Sequence, residues 1–169
     1  YDHEDLVDTI WTDAFGNPGA DFVDIVTSDW TDLGYQLIAG EDYTVVDYDP
    51  SDFHGHGTHC AGIAGARGHN SIGVAGVSHF CSIMPVRAGF GIIHPLGYET
   101  GPFEVDDIAA ALIYAADSGA DIISMSFGGY GLSMTLWNAI EYAYAQGAVL
   151  IAAAGNDNTS VQMYPAAFS

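Results

Sequence analysis

The chain has 169 residues, 49% of them hydrophobic, enough to bury one sizeable core, which points to a single globular unit. Against 22 acidic residues stand only 2 strong cations, Arg67 and Arg87, so the net charge is -20. Nucleic acid and anionic membrane are poor partners for such a surface, because neutralising phosphates takes clustered Lys and Arg. A lysine-free acidic surface suits cation binding, a salty milieu, or plain solvation.

The opening Tyr1-Asp2-His3-Glu4-Asp5 has no basic or apolar leader pattern. Residues 8–52 hold many of the acids and scattered aromatics without a sustained period, and they read as a long, partly ordered acidic loop region rather than a second domain. The densest signal follows in His54-Gly55-His56-Gly57-Thr58-His59-Cys60-Ala61-Gly62. Small residues around a histidine let a helix start tightly and leave the imidazole open at its entrance, as a general base requires. Taken alone, the stretch is equally a small-residue helix start. A zinc site on His54, His56 and His59 is a further reading, although no HExxH pattern is present. Gly55-x-Gly57-x-x-Cys60 lacks the third glycine of a dinucleotide fingerprint. Cys60 and Cys81 are too few for a disulfide scaffold and could pair once or stay thiols.

Residues 81–87 form a short apolar run of strand type. Residues 104–117 repeat apolar positions at helical spacing through Ile108, Leu112 and Ala115, with Glu104, Asp106 and Asp107 in the first turn and Gly119 as a stop. A strand over 121–127 runs into the Gly128-Gly129 turn, and a second helix is predicted over 133–146 through Leu136, Ile140 and Ala143. The run 148–154 is wholly apolar, as expected of a strand covered on both faces. Neither it nor 108–116 is long enough to cross a membrane. Strand, helix, strand, helix, strand argues for an α/β fold with a parallel sheet, in which function gathers at the carboxyl ends of the strands.

Two loops stand at those ends. Asparagine at 156, delivered by Ala152-Ala153-Ala154-Gly155, can donate to a developing oxyanion. Glycines in Ser124-Met125-Ser126-Phe127-Gly128-Gly129 leave backbone groups open to an extended peptide. Each is an ordinary turn when taken in isolation.

Together, in this order and spacing, these blocks resemble the subtilisin superfamily. His56-Gly57-Thr58-His59-Cys60-Ala61-Gly62 is similar to the segment around its catalytic histidine, with the cysteine of the thermitase and proteinase K branches. Asn70-Ser71-Ile72-Gly73-Val74-Ala75-Gly76-Val77, Tyr114-Ala115-Ala116-Asp117, Ile123 to Gly129, Ala152 to Asn156 and Tyr164-Pro165-Ala166 resemble further family blocks. The likeness covers about 54–169 plus His3-Glu4-Asp5-Leu6, so residues 1–169 read as a partial peptidase domain.

The resemblance implies a three-layer α/β/α fold, incomplete here, with a mostly parallel sheet, the strands near 82–87, 121–126 and 148–153 being parallel neighbours and the helix after His56 packing on them. It implies a secreted or cell-envelope serine endopeptidase acting on protein or peptide substrates, with a propeptide in its precursor. His56 is implied as general base and Asn156 as oxyanion donor. Ser126, Phe127 and Gly128 would face Ala154 and Gly155 across the substrate pocket, glycine at 155 leaving it open to bulky side chains. The triad aspartate is expected just before Tyr1 and the serine beyond Ser169, so these residues by themselves would be inactive; a subtilase-like pseudoenzyme or binding module is the alternative. A structural calcium ion is implied at Asp5 and the Asn70 side chain with the carbonyls of Arg67, Ile72 and Val74. A second calcium site is suggested at Asp42, Asp47 and Asp49, and a cis Tyr164–Pro165 bond is expected. Residues 8–52 are longer than in compact subtilisins, and 88–103 are expanded, so no substrate contact is assigned there.

Overall fold

The computed structural model describes residues 1–168. The larger of its two cores lies in the second half, as the periodicity predicts. Helix α3 (Val105–Asp117) buries Ile108, Leu112 and Ala115, the three positions on the expected stripe, and carries Asp106 and Asp107 in its first turn. Helix α4 (Met134–Ala145) starts where the Ser133 hydroxyl accepts from the Leu136 amide at 3.3 Å, and it buries Leu136, Ile140 and Ala143. Both helices pack with strands β6 (Ile122–Met125) and β7 (Val149–Ala152) in one cluster that includes Ile123, Met125 and Ala148. The two strands are parallel, in register from Ile122 opposite Val149 to Met125 opposite Ala152.

Among the described residues one face of that sheet is covered. Val149 and Ile151 are 57% and 53% exposed, and Ile122 is 61% exposed, so the helices cover one face only. A wholly apolar strand does not itself say which neighbour covers each side; alternate residues point opposite ways, and α3 and α4 reach only one set.

The strand expected over 81–87 is placed differently. Only Val86–Arg87 forms a strand, β3, and it pairs in parallel with β1 (Ala20–Asp21) in a separate two-stranded sheet. It is not a ladder neighbour of β6 among the described residues. The reason is local hydrogen bonding. Ile83 exchanges bonds with the 9–11 segment (to the Thr9 carbonyl and from the Trp11 amide, both 2.7 Å), and the Phe22 amide donates to the Arg87 carbonyl at 2.9 Å.

Residues 8–52 carry short elements instead of long ones: β1, the helix α1 (Thr27–Thr31) and β2 (Gln36–Leu37). Strand β2 pairs antiparallel with β4 (Ile92–Ile93), which pairs with β5 (Glu99–Thr100). Val23, Ile25 and Tyr43 form a second small core with Phe90 and Ile92. Arg87 ties this region to β3. Its guanidinium, with only 8% of the side chain exposed, forms ion pairs with Asp21 and Glu41. Burial pushes the Asp21 carboxyl up to about 6, against the pull of the Val23 amide and the Arg87 charge.

Candidate active site

Helix α2 (His56–Gly65) begins at the histidine singled out from the sequence. Gly55 precedes it with φ of 86°, the left-handed region that glycine enters at no steric cost, and it offers no side chain to cap the helix. Asp52 supplies the cap instead. Its Oδ1 accepts from the His54 and Gly55 amides at 3.0 and 2.7 Å, and its Oδ2 accepts from the Thr58 amide and hydroxyl, both at 2.8 Å. Partial burial raises the Asp52 pKa, but the bonds from the Thr58 and Gly55 amides outweigh it and hold the carboxyl below its ordinary value. The His56 imidazole is exposed, with Nε2 3.8 Å from the Cys60 thiol one turn along.

The far end of α2 meets one of the three expected strand runs, through Ile83, whose Cδ1 lies 2.8 Å from a Cβ added at Gly65. It rests on the segment 76–83: the Val77 and Ser78 amides donate to the Ile63 and Ala64 carbonyls, both at 2.9 Å. A Cβ added at Gly65 would lie 2.7 Å from the Cys81 sulfur, so glycine is what lets the segment approach. Cys60 and Cys81 are both free thiols. Among the described residues no three His, Cys, Asp or Glu side chains converge in metal-binding geometry, so His54, His56 and His59 are not gathered as a zinc site.

Strands β6 and β7 deliver the other two motifs side by side. Beyond β6, Ser126 is exposed, Phe127 is half-buried with its ring 5.1 Å from that of Phe103, and Gly128 follows. Phe127 and Gly128 make no backbone hydrogen bond among the described residues, which leaves those groups open to an extended partner. Beyond β7, Ala154, Gly155 and Asn156 are all exposed, and the Asn156 amide has no hydrogen-bond partner among the described residues. No hydrogen bond joins Asn156 to His56 within the described residues.

The space beside Gly155, expected to be open, holds the Met163 side chain. Met163 lies against both glycines: a Cβ at Gly155 would sit 2.5 Å from its Sδ, and a Cβ at Gly128 would sit 2.8 Å from the same atom. The segment is fixed there because Gly129 and Tyr164 exchange two backbone bonds of 2.8 Å each. The Tyr164–Pro165 bond is cis, as expected. On the outer side the Tyr130 hydroxyl donates to the Asp157 carboxylate, a bond that raises the tyrosine pKa.

The expected calcium ligands meet in part. Asp5 is 2% exposed, its Oδ1 accepting from Asn70 Nδ2 and its Oδ2 from the Val74 amide, both at 2.8 Å. The bond from Asn70, then that from Val74, lowers its pKa. Arg67 and Val74 present N–H groups to Asp5, and Ile72 donates to the Asn70 oxygen at 3.1 Å. The donor set suits calcium: a buried carboxylate that no Lys or Arg neutralises keeps a lone pair on each oxygen beyond the one already used. The Asn70 amide would have to turn its oxygen inward. Asp42, Asp47 and Asp49 each cap their own turn, accepting from the amides of Thr44, Asp49 and Ser51.

Asp52 and Met163 were not singled out from the sequence. For Asp52 a signal existed, an acid a few residues before a helix whose own cap position is glycine. For Met163 there was none.

The profile described as "Subtilase family" (Peptidase_S8) matches residues 1–169. The chain is 40% identical over 144 residues to "Thermitase" of Thermoactinomyces vulgaris, covering 85% of this chain and 49% of that protein. It is 42% identical over 170 residues to "Halolysin-like extracellular serine protease Nep" of Natrialba magadii, covering 99% of this chain and 26% of that one. The solved structure of "Sphericase" superposes with a TM-score of 0.68 at 28% identity, over 99% of this chain and 46% of that one. The chain therefore spans about half, or less, of the length of these relatives.

Proposed function

The chain belongs to the subtilase family, and from that premise we propose that the protein containing it is a serine endopeptidase in which His56 is the general base and Asn156 an oxyanion donor. The observation that carries the reading is His56 itself, exposed at the first position of a helix whose preceding loop is pinned by Asp52. A base must reach its substrate proton, and a pinned loop holds the imidazole in one place.

In this mechanism His56 takes the proton of the nucleophilic serine as its oxygen bonds to the scissile carbonyl carbon. The carbonyl oxygen becomes negative and accepts from the Asn156 amide. Collapse breaks the C–N bond, and His56 returns the proton to the departing amine. Water, deprotonated by the same imidazole, then releases the acyl group. In this reading the serine and the aspartate that orients the imidazole would be supplied by the whole protein, and the resemblance to subtilases supports His56 as the general base and Asn156 as the oxyanion donor. Phe127 and Gly128 would pair with the substrate backbone.

A structural calcium ion at Asp5 would be held by its free lone pairs together with the Asn70 oxygen and loop carbonyls, bracing the 69–75 turn behind α2. We further propose an extracellular or cell-envelope location, a reading supported by the extracellular relative. No helix among the described residues is long and apolar enough to cross a membrane.

The test is His56→Ala in the full-length polypeptide, assayed on casein and on peptide anilides with circular dichroism as a fold control. Hydrolysis should vanish while the fold persists. Retained turnover removes the general-base role, and a folded wild-type polypeptide without turnover favours a non-catalytic binding module.

A further inference from the structure

We propose that Asn158 is an N-glycosylation site, taking an oligosaccharide from a lipid-phosphate-linked donor, and that the glycan shields the loop over 154–162 from proteolysis. The inference rests on the extracellular reading above and goes beyond the endopeptidase activity.

The sequence supplies the acceptor. Of the five asparagines, only Asn158 is followed two positions on by a hydroxyl residue, in Asn158-Thr159-Ser160, with no proline between. A transferase reads that hydroxyl and modifies the amide nitrogen, so the motif functions only on an exposed loop of a secreted chain.

The structure gives the motif such a place. Every residue over 153–162 is exposed. Among the described residues, 154–162 make no backbone–backbone hydrogen bond, so the loop can be drawn into a transferase cleft without breaking a ladder. The Asn158 amide and the Ser160 hydroxyl have no hydrogen-bond partner among the described residues, which leaves both recognition groups free. Thr159, the position the motif does not read, accepts from the Val161 amide at 3.2 Å. Side chains tether the loop at two points, Asp157 to the Tyr130 hydroxyl and Gln162 to the Tyr164 hydroxyl. An exposed segment so lightly held is where a protease nicks a fold.

In the transfer, the Asn158 amide nitrogen attacks the anomeric carbon of the donor sugar. A C–N bond forms and the C–O bond to the lipid phosphate breaks. The phosphate leaves with the electron pair, and the amide proton passes to a base of the transferase. The bulky, hydrated product stands mid-loop, between 154–157 and 159–162, where it keeps either half from threading a protease cleft.

The experiment takes the full-length protein as its own cells produce it, separated into medium and cell fractions. Its peptides are mapped by mass spectrometry before and after enzymatic release of N-glycans, which leaves aspartate at 158. The secreted Asn158 peptide should carry oligosaccharide mass. Ser160→Ala should lose that mass while keeping Asn158 and its left-handed turn (φ 49°), and Thr159→Ala should retain it. With phenylmethylsulfonyl fluoride present, thermolysin should cut the released form at the 160–161 bond several-fold faster than the glycosylated form. A secreted protein with Asn158 wholly unmodified overturns the proposal and leaves the location reading intact, whether or not the variants fold. Oligosaccharide retained in Ser160→Ala overturns the motif as its cause, and equal cutting of the two forms overturns the shielding. Unmodified protein found only inside the cells strikes the location reading and this inference together.

Discussion

Asp52→Ala removes at one stroke the four hydrogen bonds that hold the entrance to α2. Bonds to an ionised acceptor contribute about 1.5–3 kcal/mol each when water cannot replace them. Asp52 lies at the surface and is only partly desolvated, so water takes over much of each bond, and the loss should be that of an ordinary helix cap, about 1–2 kcal/mol for the whole cluster. At about 2–4 °C per kcal/mol for a domain of this size, Tm should fall by roughly 2–8 °C. The kinetic effect should be larger than the thermal one. Freed amides at Gly55 and Thr58 let the first turn fray, and displacement of a catalytic group by about 1 Å costs on the order of 100-fold in rate. We expect kcat to fall by about 10–100-fold with KM nearly unchanged, because Gly128 and Gly155 stand on β6 and β7 and not on α2. Asp52→Asn keeps one acceptor oxygen, which can serve the His54–Gly55 pair or the Thr58 pair but not both, so its losses should be intermediate. The pH dependence has a definite sign. A carboxyl whose native pKa is lowered stabilises the fold while it is charged, and that contribution disappears as pH falls through the lowered value. Wild type and Asp52→Ala should therefore converge in Tm in strong acid. The assay is peptide-anilide kinetics with thermal melting on the full-length polypeptide. A folded Asp52→Ala protein with wild-type kcat refutes the reasoning.

Three further outcomes are expected. Calcium in excess should raise Tm, by up to about 2.7 kcal/mol of stability at a hundredfold over its dissociation constant, and Asp5→Ala should abolish that response; melting that ignores both calcium and EDTA would remove the site. Burial, assisted by the charges of Asp106, Glu104 and Asp24 and opposed by the Asp24 amide, pushes the Asp107 carboxyl up to about 6. Its native pKa lies above the ordinary value, so its penalty is absent in acid and grows as pH rises toward 6; Asp107→Asn should melt higher than wild type at pH 7 and equally at pH 4, and a lower Tm at pH 7 contradicts this. With a net charge of -20 and two strong cations, repulsion opposes compaction, so raising NaCl from about 0.1 to 1 M, which shortens the screening length from about 10 to 3 Å, should raise Tm; a falling Tm would show that this repulsion does not limit stability.

The family and the approximate position of each motif were legible without coordinates, because those signals are short-range. Ile108, Leu112 and Ala115 in α3, and Leu136, Ile140 and Ala143 in α4, lie on one stripe by helical spacing alone, and all six are buried. The runs that became β6 and β7 were visible as apolar segments between turn residues, and α2 starts at the histidine chosen from its glycine-rich surroundings.

What needed the tertiary structure was every choice of partner. Residues 81–87 looked like a neighbour of β6, yet their hydrogen bonds go to 9–11 and 20–22, and no pattern within a strand names the strand beside it. The apolar run of β7 names no covering element: among the described residues α3 and α4 lie on one face of the sheet, and Val149 and Ile151 are on the other, since hydrophobicity records a preference for burial and not which segment provides it. Gly155 reads as opening a pocket because a missing side chain can be seen in a sequence. The atoms that fill the vacated space come from Met163, a residue that belongs to no periodic stripe and reaches Gly128 and Gly155 only because the Gly129–Tyr164 pairing brings it there. Local spacing determines where an element forms and which way its side chains point, whereas occupancy of a gap between two elements is set by chain closure over long separations, which leaves no mark at either end.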